Sequence, residues 1–337
     1  MEFFIYIDHT SLFRYNIAMT NQKVLVSGIK PTGQLHLGNY LGAIKNWVKL
    51  QDKYQCFYFI ADLHALTTKI SREELSQQTR ELIIDLLALG IDPKKSVLFK
   101  QSDIIGHTDL GWIFDCLMPV AELERMTQFK DMSIRQPNNV NAGLLTYPAL
   151  QAADILLYKA EIVPVGEDQL QHLELTRLAA RKFNNRYGQY FIEISPILSQ
   201  TPRVMSLNDP NKKMSKSLGT KSYIAIRDNA STVKQTIQKA ITDDKGVQNL
   251  LALYSYFGSK AKYMSMAKDA KAGKLMNSDL KQELTKVILK FLKPVQEKIA
   301  YYEKNPKQVD KIINQSNKQA QKIATKNLQD IKKIIGL

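Results

Sequence analysis

Short apolar runs alternate with longer amphipathic stretches up to about residue 205. The runs at 23–29, 55–61 and 96–100 are rich in β-branched and aromatic side chains, which is typical of buried strands. The stretches 38–50 and 72–89 repeat apolar residues at helical spacing instead. Strands that alternate with helices in this way predict an α/β fold, in which helices cover a doubly wound parallel sheet.

The second of these helices carries signals for both of its ends. Ser71 and Glu74 have the spacing of a capping box, and Gly90 suits the residue after the last helical turn. A longer helical pattern occupies about 121–158, and a further strand is expected at 161–165. The sequence therefore continues the alternation beyond the third strand.

The pattern changes after about residue 222, where helical periods dominate and no convincing strand follows the few residues near Tyr223. Helices are predicted at 229–241, 248–257, 279–303 and 306–335. The preceding stretch is rich in Pro, Asn, Ser, Gly and Lys, which is typical of a loop. We therefore predict an α/β domain at 23–205, a mobile linker at 206–221 and an all-α domain at 222–337.

Residues 1–22 do not fit this organisation. Their apolar run FFIYI is too short for the core of a signal peptide, and Glu2 and Asp8 flank it. We interpret 1–22 as an extension in which Met19 could serve as an alternative start. No apolar run in the chain approaches the roughly 20 residues that a membrane-spanning helix needs, so no membrane association is expected.

Composition and charge narrow the class of protein. The chain has 337 residues, of which 44% are hydrophobic and 23% charged, and these values exclude a disordered or collagen-like protein. Lys and Arg number 47 against 32 Asp and Glu, a net charge of +15. Such a charge favours phosphate, nucleic acid or an acidic surface as a partner, and a generally lysine-rich proteome is the alternative. The segment from Lys293 to the end contains ten lysines and only four acidic residues. This excess of positive charge indicates binding of a polyanion.

The cysteines give information about the compartment. Cys56 and Cys116 both lie in apolar segments and are predicted to be reduced core residues. No Cys/His spacing matches a zinc site, so we predict no metal site formed by the protein alone. A disulfide-stapled secreted domain is excluded, and a reducing cytoplasmic location is favoured.

The first candidate for chemistry is the turn between the first strand and the first helix, which spans Gly28 to Asn39. Ligands of doubly wound sheets bind at the carboxyl ends of the strands, and a helix N-terminus attracts anions. Gly38 allows close approach to the backbone, while His36 and Asn39 can donate hydrogen bonds to a phosphate or ribose oxygen. The alternative is a structural turn glycine with two solvated polar residues.

The second candidate is the string Lys-Met-Ser-Lys-Ser at 213–217, inside the predicted linker. Two flexible lysines on either side of a serine can close over a polyphosphate and stabilise charge that moves during a reaction. The alternative is a solvated basic loop, which is common, although this particular string is not.

Together these motifs resemble those of the class I aminoacyl-tRNA synthetases, with His36 and Lys213 lying 177 residues apart. The family's first motif usually ends in His, whereas this chain has Asn39, which keeps a donor there. The segments 121–130, 147–156 and 163–169 are similar to the tryptophanyl branch of the family. This resemblance covers about Lys23 to Ser217 well and the helical tail more weakly.

The motifs leave two other functions open. The tyrosyl branch resembles the chain in both end motifs, although segments 121–130 and 163–169 favour tryptophan. A basic module that keeps the fold and binds nucleic acid without catalysis is the other possibility. The intact lysine string and glycine turn argue against that loss of catalysis.

Asp154 is the candidate for recognising the side chain of the substrate. It lies in a helical run of Ala, Ile and Leu, where a buried carboxylate needs a donor. An indole N–H is only a donor, so a single acceptor complements it, whereas phenylalanine would leave that acceptor unpaired. A surface carboxylate or an internal salt bridge is the alternative. Gln151, three residues earlier, replaces the Met that the family often has.

The resemblance also implies other site residues. Tyr147 and Gln169 offer oxygen acceptors to the substrate ammonium group, although Tyr147 could also be an ordinary core or turn tyrosine. His64 either lines the pocket or is a structural histidine. The expected amino-acid site comprises Gly28, His64, Tyr147, Gln151, Asp154, Val163, Val165 and Gln169. The expected catalytic residues are His36, Asn39, Lys213 and Lys216.

The expected ATP site uses the two motifs and a third turn. It comprises Lys30, Pro31, Thr32, Gly38, Asn39, Gly166, Glu167, Asp168, Val204, Lys213, Met214, Ser215, Lys216 and Ser217. Asp168 can accept from ribose hydroxyl groups, and Glu167 could equally be a first-turn acid favoured by the helix dipole. The resemblance implies a Rossmann-like catalytic domain, a helical anticodon-binding domain, ATP with Mg²⁺, L-tryptophan, tRNA and a homodimer.

Overall fold

The computed structural model of the protein describes residues 22–166, 169–198 and 203–337. Its strands are β1 Val24–Ile29, β2 Gln55–Ile60, β3 Ser96–Lys100, β4 Ile162–Val165 and β5 Ser195–Leu198. They form one parallel sheet in the order β3-β2-β1-β4-β5. The chain order therefore reverses direction between β1 and β4, and such a reversal is where open α/β sheets bind ligands. The predicted doubly wound sheet is confirmed.

Helices connect the strands and continue to the end of the chain. The first, α1, runs over 37–50 and contains a π-helical turn at Tyr40–Ile44. Those before β5 are α2 Asp62–Ala65, α3 Arg72–Leu89, α4 Gly106–Asp115, α5 Val120–Glu124, α6 Thr127–Arg135, α7 Ala142–Leu156 and α8 Leu170–Tyr187. Those after it are α9 Ala230–Gln238, α10 Asp244–Phe257, α11 Lys260–Lys271, α12 Asn277–Lys304 and α13 Pro306–Ile335.

The structure confirms the sequence signals at both ends of α3. The Ser71 hydroxyl accepts from the Glu74 N–H at 3.1 Å, and the Glu74 carboxylate accepts from the Ser71 N–H at 2.9 Å. Gly90 ends the helix with a φ of 112°, in the left-handed region that glycine adopts at little cost. Four of these elements were not predicted, namely β5 and the helices α2, α4 and α11.

The two faces of the sheet carry separate apolar cores. Leu25 and Tyr58 pack in one core with α1 and α3, whereas Val26 and Phe59 pack in the other with α4, α7 and α8. Side chains of neighbouring strand residues point to opposite faces, so an apolar run buries residues on both sides. The helices of the C-terminal region complete these cores. Residues of α12 such as Leu284 join the first, and Ala320 and others of α13 join the second.

One prediction about the core is wrong. Cys56 is buried, but Cys116 is exposed. Phe114 in the last turn of α4 and Met118 just beyond the helix, two residues away on either side, are buried instead. The apolar segment therefore predicts the burial of the neighbours of Cys116 correctly and the burial of the cysteine incorrectly. Residues two apart at the end of a helix point in different directions.

An ion pair joins the α/β region to the C-terminal helices, and we expect it to matter for stability. Arg227 donates to the buried Asp85 of α3 at 2.8 Å and also contacts Glu303 of α12. Replacing Arg227 with methionine should lower the free energy of unfolding by about 3 kcal/mol, because the Asp85 carboxylate would stay buried without its partner. The Glu303→Gln control should cost less than about 1 kcal/mol, since that carboxylate is half exposed. Equal urea midpoints for Arg227→Met and the unaltered protein would contradict this expectation.

Candidate active site

A cavity of about 400 Å³ lies at the carboxyl ends of β1 and β4. All eight residues that the sequence assigned to the amino-acid site line it: Gly28, His64, Tyr147, Gln151, Asp154, Val163, Val165 and Gln169. Most of the remaining wall is apolar and includes Trp47 and Phe59. The strand reversal therefore places a pocket of small-molecule size where the sequence expected one.

Asp154 provides the negative charge in the cavity wall although its side chain is fully buried. Its Oδ2 accepts from His64 Nε2 at 2.7 Å, and its Oδ1 accepts from His107 Nδ1 at 2.6 Å and Gln101 Nε2 at 2.7 Å. Burial alone would raise the pKa of this carboxyl group, but His64 and His107 hold that pKa at about 2. Asp154 is thus paired internally and also lines the cavity, and its role in recognising a substrate stays a prediction.

A group of polar side chains lies along another part of the cavity. The Tyr147 hydroxyl donates to Gln128 Oε1 at 3.0 Å, and Gln151 and Gln169 line the same cavity. Lys30 Nζ lies 5.5 Å from the centre of the Tyr147 ring, and burial lowers the pKa of this lysine. Sequence reasoning missed Gln128, although it lies within the segment 121–130. Only the fold shows that this residue reaches the Tyr147 hydroxyl.

Gly28 is required by close packing as well as by its place in the cavity wall. A Cβ atom on Gly28 would lie 2.4 Å from the ring of Phe59, much closer than real contacts allow. Phe59 lies beside it on β2, and both residues line the cavity. Any larger residue at position 28 would therefore move the wall formed by Phe59.

The turn before α1 is held by a reciprocal cap. The Asn39 N–H donates to His36 Nδ1 at 3.3 Å, and the His36 N–H donates to Asn39 Oδ1 at 3.1 Å. Burial and the nearby charges of Lys216 and Lys213 lower the pKa of His36 to about 4. His36 is therefore neutral at pH 7 with its proton on Nε2, since Nδ1 is the acceptor. The Nε2–H and the Asn39 amide nitrogen are left as donors.

The structure brings the lysine string to this turn. Lys216 Nζ donates to the carbonyl oxygen of Thr32 and lies against Gly33. Met214 packs at Gly38, where an added Cβ would lie 3.4 Å from its side chain. Leu37 N also donates to the Ile224 carbonyl at 2.9 Å, just beyond the string. Two motifs that are far apart in sequence therefore meet beside the cavity.

The other residues assigned to ATP are distributed around this junction. Lys30 and Gly166 line the cavity, and Pro31 is buried in the turn. Val204 is buried and its carbonyl accepts from Met214 N at 2.9 Å, while Ser215 and Ser217 share a hydrogen bond at 2.9 Å. Glu167 and Asp168 lie outside the described residues, so the expectation for them stays a prediction.

The part of the chain that the structure describes has neither a metal-binding cluster nor a membrane-spanning helix. Within 22–166, 169–198 and 203–337, no group of three or more His, Cys, Asp or Glu side chains could hold a metal ion. Among the helices in these same ranges, none has both the length and the apolar character needed to cross a membrane.

The chain matches known proteins along most of its length. Residues 19–293 match the family model of the class I tRNA synthetases for W and Y. The chain belongs to this family.

Its relatives point to one branch of that family. The tryptophan–tRNA ligase of Clostridium tetani is 42% identical over 328 residues, which cover 94% of this chain and 96% of that protein. The tryptophan–tRNA ligase of Helicobacter pylori J99 is 43% identical over 328 residues, with 94% and 99% covered. The crystal structure of Campylobacter jejuni tryptophanyl-tRNA synthetase complexed with ADP and tryptophan matches with a TM-score of 0.85 at 33% identity, covering 93% of this chain and 100% of that one.

Proposed function

We propose that the protein is a tryptophan–tRNA ligase. It activates L-tryptophan with ATP to tryptophanyl-adenylate and pyrophosphate. It then transfers the aminoacyl group to a hydroxyl of the 3′-terminal ribose of tRNA, and AMP leaves. One observation carries this proposal: an apolar cavity with an ionised carboxylate in its wall lies beside the junction of the His36 turn and the lysine string. The first feature suits an indole, and the second suits a triphosphate.

In the first step the tryptophan carboxylate attacks the α-phosphorus of ATP and pyrophosphate leaves. Asp154 accepts from the indole N–H, while the Tyr147 hydroxyl and Gln169 accept from the ammonium group. Lys30 places positive charge near the attacking carboxylate and the α-phosphate. Neither reactant needs an acid or a base, so catalysis consists of positioning and charge stabilisation.

The nucleotide lies along the turn and the lysine string. His36 Nε2–H and the Asn39 amide donate to phosphate oxygens, and Lys213 and Lys216 stabilise the departing pyrophosphate. Gly166 permits close approach of the nucleoside, and Asp168 accepts from the ribose. Mg²⁺ would be held chiefly by phosphate oxygens and would add to the neutralisation of their charge, since the described residues provide no carboxylate cluster.

The second step needs tRNA, for which the helical C-terminal region is the proposed contact. Lysines on one side of α13 are exposed and form no ion pair within the described residues: Lys307, Lys311, Lys318, Lys322, Lys326 and Lys333. Such lysines neutralise phosphates and position RNA without reading its sequence. We place the reaction in the cytoplasm, where tRNA and ATP meet.

The experiment that tests this function is exchange of labelled pyrophosphate into ATP. We expect exchange that depends on tryptophan, with tyrosine giving little, followed by aminoacylation of tRNA in a second assay. Exchange driven by tyrosine would overturn the choice of amino acid. Absence of exchange with any amino acid would favour the non-catalytic alternative.

We further propose that two copies of the chain form a homodimer through an apolar face beside the cavity. Leu66 and Trp112 are 56% and 69% exposed and line one groove. Tyr147 lines this groove as well as the cavity, so a second copy would cover residues that border the active site. Large exposed apolar side chains that share a groove are typical of protein interfaces.

A substitution on this face should change the oligomeric state. Trp112→Glu is expected to convert the dimer to a monomer at micromolar concentration, because a charge would be buried in the interface without a partner. Light scattering after gel filtration gives the mass directly. Met264→Glu is the matched control, since Met264 is a similarly exposed apolar residue on α11 and should leave the dimer intact. A dimer that survives Trp112→Glu would place the interface elsewhere.

A further inference from the structure

Three buried side chains contact the Asp154 system from the side away from the cavity. Gln101, His107 and Tyr158 are all at least 98% buried. None of them lines the cavity, whereas Asp154 and its other partner His64 both do. These three residues come from the end of β3, from α4 and from the end of α7. Three separate elements therefore converge behind one carboxylate.

The hydrogen bonds of Asp154 leave room for one more donor. An ionised carboxylate offers about four acceptor positions. His107 and Gln101 occupy two on Oδ1, and His64 occupies one on Oδ2. The remaining position is on Oδ2. Because Oδ1 is held by two donors, the carboxylate cannot rotate without breaking charge-assisted hydrogen bonds.

His107 is itself fixed in orientation. Its Nδ1 donates to Asp154, and its Nε2 lies 2.9 Å from the hydroxyl oxygen of Tyr158. The ring also packs against Phe59 and Phe99, each with centroids 5.9 Å away. Burial raises the pKa of Tyr158, so its hydroxyl keeps its proton. The imidazole therefore has a defined partner at each nitrogen and neighbours on its faces.

We propose that His107, oriented by Tyr158, and Gln101 are positioning residues for substrate selection. They fix Asp154 so that one acceptor position on Oδ2 is offered to the cavity, and this position selects a side chain with a ring N–H. The inference rests on the proposed function, because the ring N–H belongs to tryptophan. It adds three residues, outside the cavity, to those that determine specificity.

If Gln101, His107 and Tyr158 only supported the fold, their replacement would have a different effect on the choice of substrate. Core residues that only support the fold would affect every substrate equally when they are changed. Positioning residues would affect a substrate with the N–H more than one without it. The ratio of kcat/KM between two such substrates therefore separates the roles, even when a variant loses activity or stability as a whole.

The test uses pyrophosphate exchange with tryptophan and with the analogue 3-benzothienylalanine, in which sulfur replaces the ring N–H. In His107→Leu we expect the tryptophan-to-analogue ratio to fall by about tenfold or more, the range of one hydrogen bond to a charged group. In His107→Asn the amide nitrogen can take the place of Nδ1, so the ratio should stay within about threefold of the unaltered enzyme. The KM for ATP should change little in either variant.

An unchanged ratio in folded His107→Leu, with both substrates impaired alike, would overturn the proposal. If His107→Leu does not fold, Gln101→Leu and Tyr158→Phe decide by the same ratio, since each leaves the imidazole in place. A lower tryptophan-to-analogue ratio of kcat/KM in these variants supports the positioning role, and an unchanged ratio overturns the proposal. Failure of the proposed function is a separate result, because the unaltered enzyme would then show no tryptophan-dependent exchange.

Discussion

Replacing Lys216 with alanine is expected to lower the rate of tryptophan activation by about 100- to 1,000-fold, the usual cost of removing one group that stabilises transition-state charge. Lys216 lies at the Thr32 carbonyl, beside the turn that carries His36 and Asn39. Its ammonium group is thus close to where a triphosphate would lie on that turn. It does not line the amino-acid cavity. We therefore expect the affinity for tryptophan to change by less than about threefold.

Single-turnover formation of the adenylate, together with equilibrium binding of tryptophan, measures the two quantities separately. Lys221→Ala is the matched control, because Lys221 is an exposed lysine a few residues further along the same segment. Its activation rate should be close to that of the unaltered enzyme. An unchanged rate in Lys216→Ala, or an equal loss in the control, would contradict the role of Lys216.

Asp154→Asn should reduce kcat/KM for tryptophan by about 1,000-fold or more, because a site built around a hydrogen bond discriminates strongly when that bond fails. The new amide group would present two N–H hydrogens to a site that supplies donors from His64, His107 and Gln101. An indole N–H would also lose the anionic acceptor. Most of the loss should appear in KM, since the interaction is present before the transition state.

Asp62→Asn is the control for this variant. Asp62 is another buried carboxylate, which accepts from Ser102 and does not line the cavity. It should change KM for tryptophan by less than about threefold. Pyrophosphate exchange at varied tryptophan concentration gives KM for both variants, and melting temperatures show whether each is folded. A folded Asp154→Asn enzyme with nearly normal KM would mean that another residue recognises the indole.

The sequence predicted those parts of the fold whose signals are local. The helix α3 has an amphipathic repeat, a capping box and a terminal glycine within twenty residues, and its bounds were correct. By contrast, β5 has four residues, includes Pro196 and is only partly buried, so it lacks a strong apolar run. The helix α11 was also missed, because it buries only Met266 within its twelve residues and thus shows little periodicity.

The motifs and the resemblance predicted which residues lie at the candidate site. All eight proposed amino-acid contacts line one cavity, and the two nucleotide motifs meet beside it. The supporting residues could not be found in this way. Gln101 and His107 lie 53 and 47 residues from Asp154 in the chain, so only tertiary packing makes them its partners. Gln128 reaches Tyr147 for the same reason.

The most direct test of the account is a crystal structure of the protein with tryptophan and a non-hydrolysable ATP analogue. We expect the indole nitrogen about 3 Å from Asp154 Oδ2, and the Lys216 ammonium group about 3 Å from a phosphate oxygen. An indole ring bound with its nitrogen away from Asp154, or a triphosphate that residues 213–217 do not touch, would contradict it.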